Sequence, residues 1–217
     1  MVKPYQPIAV YPLSKRYRGV DQLKKAPSGS LRGVQPAEGP TGIPNTAYQF
    51  SGSSNSYIEF PNKKKLDTRY STTLVAWINP RSAGPIINYQ TNGWGVHFWV
   101  TTTRQLFVRF VKRNGRFTAP VIANVLKPGR WHYVAAVYNQ KTGVASLWKN
   151  ARRVASKRIG RIELRTQFNV RMGARIGDRR YFRGRISCVQ IFNRALSRRQ
   201  LLRRMFRCTK GILLSSH

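Results

Sequence analysis

Along most of the chain, apolar and polar residues alternate in short runs broken by Gly, Pro or Asn. A period of two marks half-buried strands. It predicts strands near 46–51, 56–60, 72–79, 85–89, 94–101, 105–111, 131–138, 143–149, 152–157, 169–173 and 184–193. The clearest pair lies between Leu126 and Val154. Trp131 to Tyr138 is dense in β-branched and aromatic residues, Gly143 to Lys149 alternates loosely, and Asn139 to Gly143 carries turn chemistry between them. Lys127-Pro128-Gly129 turns the chain into this hairpin. Asn92-Gly93 and Asn114-Gly115 mark further turns. One helix is expected, Arg198 to Phe206, with Ser197 as N-cap and Gln200 completing a capping box. Leu201, Leu202, Met205 and Phe206 give it an apolar stripe, and Arg198, Arg199, Arg203, Arg204 and Arg207 cover the rest. Residues 1–45 read as an edge strand at Val10 to Leu13 plus a long loop, 46–193 as a sandwich and 197–207 as the helix, in one domain spanning 1–217. The expected fold is an all-β, antiparallel two-sheet jelly-roll sandwich with one short C-terminal helix. Trp77, Trp131, Tyr133, Val137, Leu147 and Ile191 are expected to face its core.

The wording of the hairpin resembles laminin-G-like and pentraxin-like domains, which share the concanavalin A-type jelly roll. Their pattern, G-x-W-x-x-V-A-x-x-Y, then G-x-x-x-L-W-x-N-G-x-x-V, is met by Gly129, Trp131, Val134, Ala135, Tyr138, Gly143, Leu147, Trp148, Asn150 and Val154. Ala151 stands where the family usually has Gly. Ala47 to Gly52 with Tyr57 to Phe60, Ser71 to Pro80, and Phe182 to Ser197 are similar to further family strands, in the family's order. The family's early acid-Ser-Gly-Asn element is degraded, since Asp21 is followed by Gln22-Leu23-Lys24-Lys25. The resemblance implies the fold, which hosts many functions.

Charge changes the picture most. There are 40 Lys and Arg against 6 Asp and Glu, a formal net of +34, and Arg supplies 27 of the cations. Self-repulsion of that size is destabilising, so an anionic partner or another strong functional reason is expected. A scaffold of this kind whose surface acids were replaced by Lys and Arg would carry the same balance. Thirteen cations fall between 149 and 185: Lys149, Arg152, Arg153, Lys157, Arg158, Arg161, Arg165, Arg171, Arg175, Arg179, Arg180, Arg183 and Arg185. Residues i and i+2 of a strand share a face, so Arg183 with Arg185, and Arg171 with Arg175, are expected to point together. The segment is read as a polyanion-binding face, because Arg forks match sulfate and carboxylate. The alternative is a solvated positive surface.

Cys188 and Cys208 are 20 apart. In an extracellular domain that arrangement suits one disulfide pinning the last helix to the sheet, the alternative being two buried thiols. No run reaches the ~20 apolar residues of a membrane span, and the start, Met1 to Leu13, lacks the pattern of a signal peptide. A secreted, extracellular protein is expected.

Candidate chemistry is sparse. No cofactor or metal is expected. Calcium needs clustered oxygen ligands, but Asp21, Glu38, Glu59, Asp67, Glu163 and Asp178 are scattered. Glu59 and Asp67 are expected to pair with cations. Glycoside hydrolysis needs a carboxylate pair, which jelly-roll glycosidases place as E-x-D-x-E on one strand. No such triplet exists here, and His97, His132 and His217 have no Ser/Asp or Cys/Asp wording of a nucleophilic triad nearby. An alginate-lyase-like enzyme remains an alternative: Val96-His97 and Tyr181-Phe182 are similar to fragments of its motifs, while its R-x-E-x-R strand and Q-x-H triplet are missing. The reading is a non-catalytic binding domain for an acidic polymer, a sulfated or carboxylated glycan. One alternative is a structural protein of a matrix, mineralised or egg-coat surface that binds acidic protein. Another is a nucleic-acid binder using Phe107, Phe110 and Phe117 beside Arg109, Arg113 and Arg116, although those aromatics alternate as core positions do. The oligomeric state is open.

Overall fold

A computed structural model describes residues 5–90, 93–102 and 104–210. Its elements in chain order are β1 (Ala9–Tyr11), β2 (Ser30–Arg32), β3 (Val34–Ala37), β4 (Ala47–Ser51), β5 (Tyr57–Phe60), β6 (Thr72–Pro80), β7 (Gly84–Gln90), β8 (Trp94–Thr102), β9 (Gln105–Arg109), β10 (Val121–Asn124), β11 (His132–Asn139), β12 (Val144–Lys149), β13 (Arg152–Arg158), β14 (Val170–Met172), β15 (Arg183–Phe192), α1 (Arg198–Arg204) and α2 (Arg207–Lys210). The first sheet runs β13-β12-β11-β6-β15-β4-β3, with β1 also on β15, and the second runs β10-β9-β8-β7-β14-β5-β2. Every ladder between these strands is antiparallel. The expected two-sheet sandwich is therefore the fold.

Three short strands arise where no strand was expected. β2 and β3 lie in the stretch read as loop, joined through Gly33 at φ 54. Gly and Pro36 mask them, and both are edge strands, where Pro is tolerated. β10 is four residues long, too brief for a period to show. The Asn114-Gly115 turn forms: Val111 bridges Phe117, and Gly115 takes φ 90. Asn92 and His217 lie outside the described residues.

In the second sheet, β9 and β10 alternate inward and outward. Strands β6 and β11 are instead buried at nearly every position, because the first sheet is covered on both faces. Leu74, Ala76, Ile78, Val134, Ala136, Tyr138, Leu147 and Ile191 fill the inter-sheet core. Val75, Trp77, Tyr133, Ala135, Val137 and Phe192 form a second cluster with Leu201 of α1. Trp77, Tyr133 and Val137 thus lie on the opposite face from the expected one, beneath the helix. Trp131 is only partly buried and packs against the same cluster.

The last element is built as its sequence dictates. Ser197 accepts from the Gln200 amide, and Gln200 reaches back to the Ser197 amide, completing the capping box. The helix ends at Arg204 and resumes as α2, one turn later than a single helix to Phe206 would. In β15 a bulge sits opposite β6 between Ser187 and Gln190. It turns Ser187 and the next residue, Cys188 at φ 49, to the same side, which aims the thiol at α2. Cys188 and Cys208 are joined in a disulfide.

Two motif positions have a backbone cause, one within β15 and one in a turn. Gly184 takes φ 143, and a Cβ there would meet the Asn79 carbonyl at 2.2 Å. Asn150 and Ala151 link β12 to β13 with φ 49 and 57, a two-residue turn of the kind that favours Asn-Gly. Ala151 in that position costs about 1 kcal/mol.

Candidate anion-binding site

On β8, Val96, Phe98 and Val100 face the core. Alternation sends Gly95, His97, Trp99 and Thr101 to the outer face of the second sheet. His97 and Trp99 are nevertheless only 4% and 1% exposed. The segment after β14 covers them. Gly173 donates to the Pro85 carbonyl (3.0 Å), Phe182 to the Gly173 carbonyl (2.8 Å), and Ile176 to the Gln90 side chain (3.2 Å). From this strap, Arg175 lays its guanidinium 3.8 Å from the Trp94 ring centre, and Arg180 lies 4.6 Å from Trp99. Arg175 also donates to the carbonyls of Gly93 and Ile176.

Register places the remaining groups. Asn88, His97 and Arg109 stand side by side on β7, β8 and β9, and Arg171 stands opposite Asn88 on β14. A second row runs Ile122, Phe107, Trp99. His97 stacks on Phe107 at 5.7 Å and tilts against Trp94 at 4.7 Å. Arg109 lies 5.6 Å from Phe107 and 5.2 Å from the half-exposed Phe117. Of the aromatics expected to alternate as core, only Phe110 is core; Phe107 and Phe117 face outward.

The electrostatics follow. The His97 Nδ1–H donates to the Gly95 carbonyl (2.8 Å). Burial, reinforced by Arg109, Arg175 and Arg180, pushes its imidazole down to about 4. His97 is therefore neutral at physiological pH, and three guanidiniums converge on it. Asp178 opposes them. Burial raises its carboxyl, but bonds from the side chain and backbone of Arg180 hold it below the usual range. The Nδ2 of Asn88 and the Nε atoms of Arg109 and Arg175 are buried without partners among the described residues. Unmet buried donors cost about 1–3 kcal/mol each.

The other acids are committed. Asp21 accepts four backbone amides, from Val10, Leu23, Lys25 and Ala26. Glu59 pairs with Arg171, Asp67 with Arg113, Glu163 with Arg69 and Glu38 with Arg185. Among the described residues no three potential metal ligands cluster.

The thirteen cations of 149–185 are distributed over both sheets. Lys149, Arg152, Arg153, Lys157 and Arg158 belong to the edge hairpin β12–β13 of the first sheet, and Arg183 and Arg185 to the start of β15. Arg161 and Arg165 lie in the connection to β14. Arg171, Arg175, Arg179 and Arg180 are on the second sheet and its strap. Because β14 ends at Met172, Arg175 leaves the strand and does not share a strand face with Arg171. Arg109, Asn88, Trp94, Trp99 and Phe107 were not read from sequence as one site. Their signal is a strand, Val96 to Val100, that is aromatic on both faces.

A pH measurement checks the burial of His97. Stability is expected to fall as pH drops from about 6.5 to about 4, since unfolded His97 gains its proton at the ordinary value and folded His97 only near 4. His132, also lowered by burial, adds to the same window. His97→Gln is expected to flatten the urea-unfolding stability across this range. An unchanged slope would show that His97 is not held neutral.

The comparisons agree with this architecture. The laminin G family described as the concanavalin A-like lectin/glucanases superfamily matches residues 51–201. No curated protein matches the sequence. The receptor binding domain of botulinum neurotoxin C/D mosaic serotype aligns with TM-score 0.73 at 17% identity, over 96% of this chain and 52% of that one. The serotype D ligand binding domain, in complex with N-acetylneuraminic acid, aligns with TM-score 0.71 at 16% identity, over 96% and 51%. The binding domain of Paraclostridial Mosquitocidal Protein 1 gives 0.68 at 16% identity, over 83% and 47%. This chain spans about half the length of each, and at these identities the likeness is one of fold. With its sandwich, its closing strand and its matched family pattern, the chain belongs to the concanavalin A-like lectin/glucanases superfamily.

Proposed function

We propose that this is a secreted, non-catalytic binding domain for an acidic polymer, a sulfated or carboxylated glycan, held on the outer face of the second sheet. The observation that carries the reading is the gathering of three guanidiniums around neutral His97: Arg175 over Trp94, Arg180 over Trp99, and Arg109 beside Phe107 and the half-exposed Phe117. Guanidinium forks bind sulfate and carboxylate oxygens bidentately. The half-exposed Phe117 ring beside Arg109 suits the apolar face of a sugar ring. The remaining cations of 149–185, within a net charge of +34, steer a polyanion to the face. A disulfide suits the extracellular setting. The serotype D relative was solved with a carboxylated sugar, which is consistent with this ligand class. The six acids, tied into ion pairs or backbone bonds, support a binding role over hydrolysis.

A single-stranded nucleic acid is the second reading, favoured by Phe117, 53% exposed beside Arg109. Titrations with heparin, single-stranded DNA and poly-glutamate across a salt series separate the readings. Heparin is expected to bind tightest, and to keep its lead as salt rises. Equal affinity for all three at every salt concentration would overturn the proposal in favour of bulk charge, and a DNA preference would move it to nucleic acid.

A further inference from the structure

A second basic recess adjoins the sheet face. It is a cleft of about 370 Å³ lined by Lys112, Arg113, Asn114, Arg161, Ile162 and Glu163. Two of its charged walls are already engaged. Arg113 grips Asp67 with both terminal nitrogens (2.8 and 2.9 Å), and Glu163 holds Arg69 at 2.7 Å. Lys112 and Arg161 remain at the mouth with no carboxylate partner among the described residues. The frame is fixed: Lys112 donates to the Arg116 carbonyl (2.9 Å), Gly115 to Lys112 (2.7 Å) and Arg113 to Glu163 (2.7 Å).

Backbone bonds tie this cleft to the first site. Phe117, against which Arg109 lies, bridges Val111, and Lys112 is the next residue. Arg165 joins the two by its backbone, accepting from Val96 on β8 and donating to Val111. Its guanidinium lies against Gly115, where an added Cβ would push it aside, and it also approaches Gly93, whose carbonyl holds Arg175. From Arg109 to Lys112 is about 10 Å along extended chain, longer than one pyranose ring. Cations therefore run from the Arg175 cluster through Arg165 to Lys112 and Arg161, with the exposed Phe117 between.

We infer that the ligand is an oligomeric acidic glycan read at two subsites, one on the sheet face and one in the Lys112–Arg161 cleft, and that neither subsite alone accounts for binding. The inference rests on the proposed function and specifies that ligand's length. Tethered occupation of a second subsite raises affinity through effective concentration until a chain spans both, and then levels off.

Heparin-derived di-, tetra-, hexa-, octa- and decasaccharides test it on the wild-type chain and on Lys112→Gln/Arg161→Gln. Wild-type affinity is expected to climb about 100-fold along the series and then plateau. The double variant is expected to bind disaccharide within about 2-fold of wild type, which also reports an intact fold, while losing about 10-fold or more on the octasaccharide. Its salt slope should shrink by about 1–2. A wild-type affinity that does not rise with length, or a variant that loses the same factor at every length, would overturn the two-subsite inference while leaving the sheet-face site standing. Failure of the wild type to bind any member would remove the proposed function as well.

Discussion

Replacing Arg109 and Arg180 with glutamine is expected to weaken heparin binding about 100-fold. Replacing Lys63 and Lys64 with glutamine changes net charge by the same two units and is expected to cost less than about 3-fold. A hydrogen bond to a charged group contributes about 1.5–3 kcal/mol, so losing one from each guanidinium reaches the ~2.8 kcal/mol of a 100-fold change. Removing Arg180 also frees the Asp178 carboxylate that it holds, which repels a polyanion. Lys63 and Lys64 lie in the exposed turn after β5 and act only through the general field, which salt screens beyond about 10 Å at 0.1 M. The fold should survive both changes. Arg109 is half-buried, Arg180 is largely exposed, and glutamine keeps a donor at each place. Arg175 is the wrong test, because it is 7% exposed and pins the strap to Gly93, so its loss would disturb the site by unfolding it. Trp94 and Trp99 lie under the two strap guanidiniums and report ligand by fluorescence. Equal losses from the two pairs would leave only a diffusely charged particle, and the sheet face would have no claim to the ligand.

The two strands of the Leu126 to Val154 hairpin were legible because their composition and turns agree locally. So were the capping box and the disulfide, whose signals lie within a few residues or one spacing. What alternation cannot say is which of two faces meets the other sheet. Tyr133, Ala135 and Val137 share a face with one another, as the period requires, yet that face lies under α1. Both faces of β6 and β11 are apolar, and only the placement of the helix decides between them. The site was legible only in part for a related reason. Arg171, Arg175 and Arg180 lie in a visibly basic segment, whereas Asn88, His97 and Arg109 become neighbours through the register of three strands. Trp99 is hidden further, since an outward residue that is 1% exposed looks like core in any sequence window. Short edge strands such as β2 and β3 were lost because the Gly and Pro that make them poor sheet partners are the same residues that signal loops.

Replacing both Cys188 and Cys208 with serine is expected to cost about 3 kcal/mol, the loop-closure entropy of a 20-residue separation. For a chain of this size that lowers the melting temperature by about 6–12 °C. The cause is local as well as entropic. Helix α1 has only seven residues, with no acid in its first turn. Arg199 and Arg203, and Arg203 and Arg207, are like charges four apart, which oppose helix formation. Arg204 is further held below its ordinary value by burial and by Arg207. Without the disulfide the helix is kept by Leu201 in the outer cluster and by three hydrogen bonds: Trp77 Nε1 to the Met205 carbonyl (2.8 Å), Tyr133 hydroxyl to Leu201 (3.2 Å) and Gln190 to Arg204 (3.0 Å). Salt should recover more stability in the serine variant than in the wild type, because it screens the arginine repulsion that the bond no longer offsets. Trp77 fluorescence follows the release directly, since that ring lies between the sheet and the helix. Glycan affinity should hold at temperatures where the serine variant remains folded, because the helix covers the first sheet and the proposed ligand site lies on the second. An unchanged melting temperature would show that the outer cluster alone secures the helix. A loss of affinity in parallel with the helix would show that the two faces of the sandwich are coupled through its core.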